Sequence, residues 1–306
     1  MTDLSIVIVN WNTSALLIQC LESIFNAQSS LTFEVVVVDN GSTDNSVQIT
    51  SEHFPQVIII ANDQNLGFAM ANNQGIRAGR ARYHLILNSD TIVRPESLDK
   101  LVQYADEHVE AGMVGPKLLN MDGTLQESWA EFPSFWSEIT GKPIRDRHPI
   151  GNPCFAYDVD SILGACMLVR KEVVSSIGVL DEAYFMYSEE IDWCFRIKRG
   201  GWQIHYYPSS EIFHIGGGSA SMNSLRQLSL LYQNKILFFR KNYGYLKSLM
   251  LRYGLILANC FGISRRIFSQ FFRQYGKDRD AAMYRISIQS SLILCLLRNR
   301  FPAGNP

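Results

Sequence analysis

Four sets of residues have types and spacing suited to work on a charged substrate. Asn88-Ser89-Asp90 closes the hydrophobic run Tyr83–Leu87. An acid delivered by a rigid strand to the C-terminal edge of a parallel sheet can hold a hard divalent cation against a phosphate. The same three residues also fit a turn followed by a helix cap. Asp39 follows the run Glu34–Val38 and can accept a hydrogen bond from a base imide N–H or a ribose hydroxyl, or close an Asx turn on its own backbone. Glu189, Glu190 and Asp192 crowd one helix start, where backbone amides keep a carboxylate ionised for use as a base. Simple N-terminal capping is the plainer reading of that trio, and Asp192 could pair with Arg196 one turn on. His214 precedes three glycines and Ser219, a loop able to fold around an anion or to stand in solvent. Lys235, Arg240 and Lys241 fit either a phosphate contact or a solvated helix face.

The elements that must position these groups follow a βαβ rhythm. Strands are expected at Leu4–Val9, Glu34–Val38, Val57–Ile60 and 83–88. Between them the pattern predicts helices from Ser14, from about Thr43 to Phe54 with Ser42 as cap, and from Phe68 to about Gly79. Another starts near Pro95 and runs to about His108. This series predicts a parallel sheet with helices on both faces, its polar tips at 10–12, 39–42 and 88–91 on one rim. Farther along, Met113–Leu119 reads as a strand and 127–153 as a long loop over a site. Ile162–Arg170 is extended, Lys171–Ile177 is a short helix, and a helix capped by Ser188 runs to Gly200. Gln203–Tyr207 reads as a strand and about 222–242 as a helix. Neither GxGxxG after the first strand nor GxxxxGK[ST] occurs, which disfavours an NAD enzyme and a P-loop hydrolase.

With 306 residues, 47% hydrophobic and a net charge of -1, the chain reads as globular, and its overall charge calls for no nucleic-acid partner. Charge is unevenly placed: residues 235–306 carry +11 and residues 1–234 carry -12. A basic C-terminal piece of this kind suits an anionic membrane face as well as an ordinary helical hairpin. Six scattered cysteines without CxxC favour a reducing compartment. No signal peptide is expected, and no uninterrupted apolar run approaches the length of a spanning helix.

Five stretches carry a resemblance. They are Ser5–Asn12 (SIVIVNWN), Val36–Asp44 (VVVDNGSTD), Asn65–Gly75 (NLGFAMANNQG), Leu87–Asp90 (LNSD) and Met186–Arg196 (MYSEEIDWCFR). In that order the chain resembles the family 2 glycosyltransferases, and within them the bacterial rhamnosyltransferase branch. The resemblance covers roughly residues 4–240. It implies a GT-A fold, α/β with a Rossmann-like, mostly parallel central sheet flanked by helices, and transfer of a sugar from a nucleotide-diphosphate donor with inversion. Val9 and Trp11 would line the nucleoside pocket, Asp39 would bind the pyrimidine, and Asn65 and Gly67 would belong to the donor site. Asn88-Ser89-Asp90 would replace the family's DxD, with Asn88 where an aspartate usually stands. Asp90 would then be the chief ligand of Mg2+ or Mn2+, and His214 would contact metal or diphosphate. Glu190 falls where the family has an aspartate base, and Glu189 and Asp192 would orient it.

The expected domains are 1–240, catalytic, and 241–306, a basic amphipathic helical extension. The expected donor is dTDP-L-rhamnose and the expected acceptor a polyprenyl-diphosphate-linked saccharide. The enzyme would sit in the cytoplasm, peripheral on the inner face of a bacterial plasma membrane. The alternatives are a UDP-hexose or UDP-N-acetylhexosamine donor on the same fold, and a non-catalytic sugar-nucleotide-binding protein.

Overall fold

Alternating apolar residues build the centre of the molecule. The computed structural model describes residues 2–141, 155–216, 225–272 and 278–298. The first half runs β1 (Thr2–Asn10), α1 (Ser14–Phe25), β2 (Phe33–Asp39), α2 (Ser46–His53), β3 (Ile58–Ala61), α3 (Phe68–Ala78), β4 (Ala81–Asn88), β5 (Thr91–Val93) and α4 (Ser97–Glu107). It continues with β6 (Ala111–Leu119), β7 (Leu125–Gln126), β8 (Trp129–Ala130), α5 (Phe135–Thr140), β9 (Tyr157–Asp158), β10 (Ser161–Ile162) and β11 (Cys166–Arg170). The chain then forms α6 (Lys171–Ile177), α7 (Glu189–Arg199), β12 (Gln203–His214), α8 (Leu225–Asn242), α9 (Tyr245–Phe272) and α10 (Asp278–Arg298).

The main sheet has the order β3-β2-β1-β4-β11-β6-β12-β5. It is mixed rather than simply parallel. β1 pairs in parallel with β2 and β4, whereas β11 is antiparallel to both β4 and β6, and β5 is antiparallel to β12. Side chains at successive positions take opposite faces. Leu4, Ile6, Ile8, Val35, Val37, Leu85 and Leu87 thus pack with Leu17, Cys20, Leu21 and Ile24 of α1. Val7, Ile86, Met167 and Val169 pack on the other face with Trp193, Cys194 and Ile197 of α7. Each such large apolar side chain contributes about 1.5–3 kcal/mol by leaving water.

The structure revises several boundaries. α2 starts at Ser46, and Ser42 caps nothing; its hydroxyl accepts from the Asn12 N–H at 2.9 Å instead. Ser188 stands at the N-cap of α7 but its side chain makes no capping bond, because the residue is in the left-handed region with φ 71°. The strand beginning at Gln203 continues to His214, so that histidine ends a strand instead of opening a loop. Gly217-Gly218-Ser219 and residues 142–154 lie outside the described residues.

By internal packing the chain forms two compact units, 1–132 with 146–220 and 133–145 with 221–306. The first holds the sheet. The second holds α5, α8, α9 and α10, so α8 groups with the C-terminal helices. The reason is local: Phe238, Phe239, Leu251, Leu255, Leu292 and Leu296 are all buried, and Lys235 reaches Glu138 at 2.5 Å. By length and composition Tyr245–Ile267 is apolar enough to cross a membrane, although Lys247, Arg252, Arg265 and Arg266 interrupt it.

Candidate active site

Three strand ends set the frame. In the parallel register Asn10 lies beside Asp39 and Val9 beside Asn88, so the tips of β1, β2 and β4 reach the same rim. Polar side chains there bond mainly to one another. Asn10 Nδ2 donates to Asp39 Oδ1 at 2.9 Å, and the Ser42 N–H donates to Asp39 Oδ2 at 2.9 Å. Thr13 Oγ1 donates to Asn10 Oδ1 at 2.7 Å and lies 3.0 Å from Ser89 Oγ. Because the single Thr13 hydroxyl proton is used on Asn10, Ser89 is the donor to Thr13. A continuous chain, Ser89–Thr13–Asn10–Asp39, therefore ties the end of β4 to the end of β2. Val9 and Trp11 are half-buried at the same rim.

Asn65 and Gly67 join from the other side. Asn40 Nδ2 donates to Asn65 Oδ1 at 3.1 Å and to the Gly67 carbonyl at 3.2 Å. Gly67 has φ +88°, and a Cβ there would stand 2.4 Å from the Phe185 carbonyl oxygen. Only glycine fits both demands. The same Phe185 carbonyl accepts from the Phe68 N–H at 2.7 Å, which fixes the segment leading into α7 against the start of α3.

Asp90 and His214 meet because β5 pairs with β12, His214 opposite Thr91. His214 Nε2 is 3.3 Å from Asp90 Oδ1 and 3.5 Å from Asn88 Nδ2. On the far side of the ring, Nδ1 lies 2.7 Å from Gln126 Oε1. Gln126 Nε2 donates to Asn120 Oδ1 at 3.1 Å, which leaves Oε1 as an acceptor and puts the imidazole proton on Nδ1. In the tautomer that carries its proton on Nδ1, the Nε2 lone pair faces the Asp90 carboxylate. Two lone-pair donors facing each other suit a divalent cation that completes its shell with water and phosphate oxygens. Among the described residues no cluster of three His, Cys, Asp or Glu side chains is present.

The acidic trio divides. Asp192 is buried and bonded to Arg196 Nε at 2.8 Å, and Arg196 Nη2 donates to the Val179 carbonyl at 2.8 Å. It therefore braces the 177–179 turn. Glu189 is 4% exposed, and both Glu189 Oε2 and Glu190 Oε2 are buried without a hydrogen-bond partner. Burial, together with the neighbouring Glu190, pushes the Glu189 carboxyl well above its ordinary range. Burial raises Glu190 as well. Tyr187 and Ser188, immediately before them, have φ of 75° and 71°, a strain of about 1–3 kcal/mol each that the surrounding packing must hold. Glu190 faces Gly164. A Cβ at that glycine would contact Phe68 and the Glu190 Cβ, and the next residue, Ala165, accepts the Asn88 N–H at 3.0 Å.

Asp39, Asp90 and His214 are accordingly collected at one sheet edge, and Glu190 stands at the start of α7 facing Gly164, whose neighbour Ala165 bonds to Asn88 at that edge. Sequence reasoning missed Thr13, Asn10 and Gln126. Asn10 opens the polar tip at 10–12 and Thr13 follows it, yet the sequence reading gives neither a site role, and nothing near Gln126 signals a partner 88 residues away.

Residues 5–178 match the family model described as Glycosyl transferase family 2. The N-acetylglucosaminyl-diphospho-decaprenol L-rhamnosyltransferase of Mycobacterium tuberculosis is 29% identical over 230 residues, 67% of this chain and 73% of its own. The low-salt glycan biosynthesis hexosyltransferase Agl10 of Haloferax volcanii is 29% identical over 202 residues, 64% of this chain and 62% of its own. Among solved structures, the mannosyltransferase PcManGT from Pyrobaculum calidifontis in complex with GDP-Man and Mn2+ shares the fold. Its TM-score is 0.58 at 14% identity, covering 98% of this chain and 90% of that one.

Proposed function

This chain belongs to glycosyl transferase family 2 and is a sugar-nucleotide-dependent glycosyltransferase, and from that membership we propose a specific transfer. It moves L-rhamnose from dTDP-L-rhamnose, with inversion, to a hydroxyl of a polyprenyl-diphosphate-linked saccharide in bacterial surface polysaccharide synthesis. The activity for which the mycobacterial relative is named supports both the sugar and the lipid-linked acceptor. The single observation that carries the mechanism is the approach of His214 Nε2 to Asp90 Oδ1 at 3.3 Å.

The donor's pyrimidine sits against Asp39, between Val9, Trp11 and the Asn65–Gly67 turn, with Asn88 and Ser89 beside the diphosphate. Asp90 and His214 would hold Mg2+ or Mn2+, which when bound would supply charge stabilisation for the diphosphate leaving group. Glu190 takes the proton from the acceptor hydroxyl, whose oxygen forms a bond to the anomeric carbon as the carbon–oxygen bond to the diphosphate breaks. Glu189 stays neutral beside it, so the buried pair carries a single negative charge. Asp192 is a positioning residue that acts through Arg196.

The enzyme works peripherally on the cytoplasmic face of the plasma membrane. Leu246, Met250, Tyr253, Leu257 and Phe261 recur along one side of α9 and are 57–75% exposed. Their spacing makes an apolar stripe in a C-terminal region of strongly positive charge, a combination suited to an anionic lipid surface. The test is side-by-side turnover with dTDP-L-rhamnose, UDP-glucose and UDP-N-acetylglucosamine on a lipid-linked acceptor. Rhamnosyl transfer is the expected result, and consumption of a UDP-sugar but not of dTDP-L-rhamnose overturns the donor assignment.

A further inference from the structure

Of the stretch Asn65–Gly75, the proposed mechanism uses Asn65 and Gly67 and gives Asn73 no part. Asn73 lies on the buried face of α3, and its carboxamide is engaged with a segment 107 residues away. Asn73 Nδ2 donates to the Leu180 carbonyl at 2.8 Å, and the Leu180 N–H donates to Asn73 Oδ1 at 3.1 Å. A primary amide offers a donor and an acceptor side by side, so one side chain pairs with both backbone groups of Leu180 as a neighbouring strand would. The same nitrogen also donates to Glu182 Oε1 at 3.0 Å.

That pairing matters because residues 178–188 form neither helix nor strand. Backbone groups in such a segment need partners from elsewhere. Gly178 and Val179 find theirs on α7, where Trp193 Nε1 donates to the Gly178 carbonyl at 2.9 Å and Arg196 Nη2 to the Val179 carbonyl at 2.8 Å. Leu180 finds its partner on α3, and so does Phe185, whose carbonyl takes the Phe68 N–H. α3 is itself a firm support, because Gly75 lets it lie directly on β1; a Cβ there would stand 2.2 Å from Val7 Cγ1. Tyr187 and Ser188 then lead into Glu189 and Glu190 with left-handed φ, a backbone that persists only where its surroundings over-determine it.

We propose that Asn73 is a positioning residue for the transfer: by fixing Leu180 it holds the 178–188 segment on α3 and so sets where the start of α7 presents Glu190. The inference rests on the reading of Glu190 as the base.

The experiment uses the full chain with Asn73→Asp, Asn73→Ala, Arg77→Ala and Glu190→Gln. Asn73→Asp has the same shape and keeps an acceptor for the Leu180 N–H while losing the donor to the Leu180 carbonyl; Asn73→Ala loses both. Arg77, whose side chain is 59% exposed, reaches the same segment through Glu182 and is the control. Hydrogen–deuterium exchange over residues 178–190 is measured beside kcat and donor KM, with whichever of dTDP-L-rhamnose, UDP-glucose and UDP-N-acetylglucosamine the parent turns over. Both Asn73 variants should speed exchange in this segment by about tenfold or more. Their kcat should fall about 10–100-fold, as when a reacting group is misplaced, with donor KM within about twofold of the parent. Arg77→Ala should match the parent throughout. If kcat is kept in the Asn73 variants, with donor KM raised or not, the inference is overturned and Asn73 only braces the fold. Asn73→Asp decides alone where Asn73→Ala does not fold. Near-normal turnover in Glu190→Gln overturns the base reading and this role with it, whereas unchanged exchange in the Asn73 variants overturns this role alone.

Discussion

His214 Nε2 stands 3.3 Å from Asp90 Oδ1 while the opposite ring nitrogen is tied to Gln126 Oε1 at 2.7 Å. Gln126 thereby selects the tautomer that leaves a lone pair facing the carboxylate. Outer groups of this kind typically change metal affinity about 10–100-fold when removed. Gln126→Leu is expected to raise the Mn2+ concentration for half-maximal turnover by that factor while kcat at saturating Mn2+ is largely kept. An unchanged Mn2+ titration contradicts the role.

Thr13 links Ser89 to Asn10, and through it to Asp39. Thr13→Val keeps the shape but leaves Asn10 Oδ1 and Ser89 without their partner, a cost of about 1–3 kcal/mol. The urea midpoint should fall at constant slope, and the KM for donor should rise, since both ends of the chain lie in the proposed donor site. Loss of stability with donor KM untouched would make the chain purely structural.

Gly67→Ala meets two obstacles at once, φ of +88° and the Phe185 carbonyl 2.4 Å from the new Cβ. A loss of about 1–3 kcal/mol is expected, read as a lower Tm together with weaker donor binding. A variant as stable as the parent would show that the Phe185 segment does not pack on this turn.

Glu189 gives a pH-dependent test. Its carboxyl titrates above the ordinary glutamate value of 4.5 in the folded chain. Its contribution to stability is full below that value and is lost as pH rises through the raised one. Glu189→Gln has no charge to bury, so its Tm should exceed that of the parent by a margin that widens with rising pH. A margin independent of pH would mean that Glu189 is not buried in its neutral form.

Much of this was legible in the sequence because apolar runs ending in polar residues mark strand tips, and that pattern placed Asp39 and Asp90 at the rim. The mixed sheet was harder to read. β11 reverses direction through antiparallel pairing, and a Cys166–Arg170 run looks the same in either sense. Ser42 and Ser188 suit the N-cap by type, yet Ser42 bonds to Asn12 and Ser188 adopts a left-handed backbone, choices made by tertiary contacts. The Glu190 approach through Gly164 and the Gln126 contact to His214 likewise depend on strand pairings that no local pattern encodes.

The most direct test is Glu190→Gln, with kcat, donor dissociation constant and pH profile measured together. Turnover should fall by about 10²–10⁴-fold, the usual worth of a positioned base, while donor affinity is retained. The parent's kcat should rise with pH as the raised Glu190 carboxyl ionises, and the variant should lose that rise. Near-normal turnover in Glu190→Gln, with the pH profile intact, would contradict base catalysis from this position.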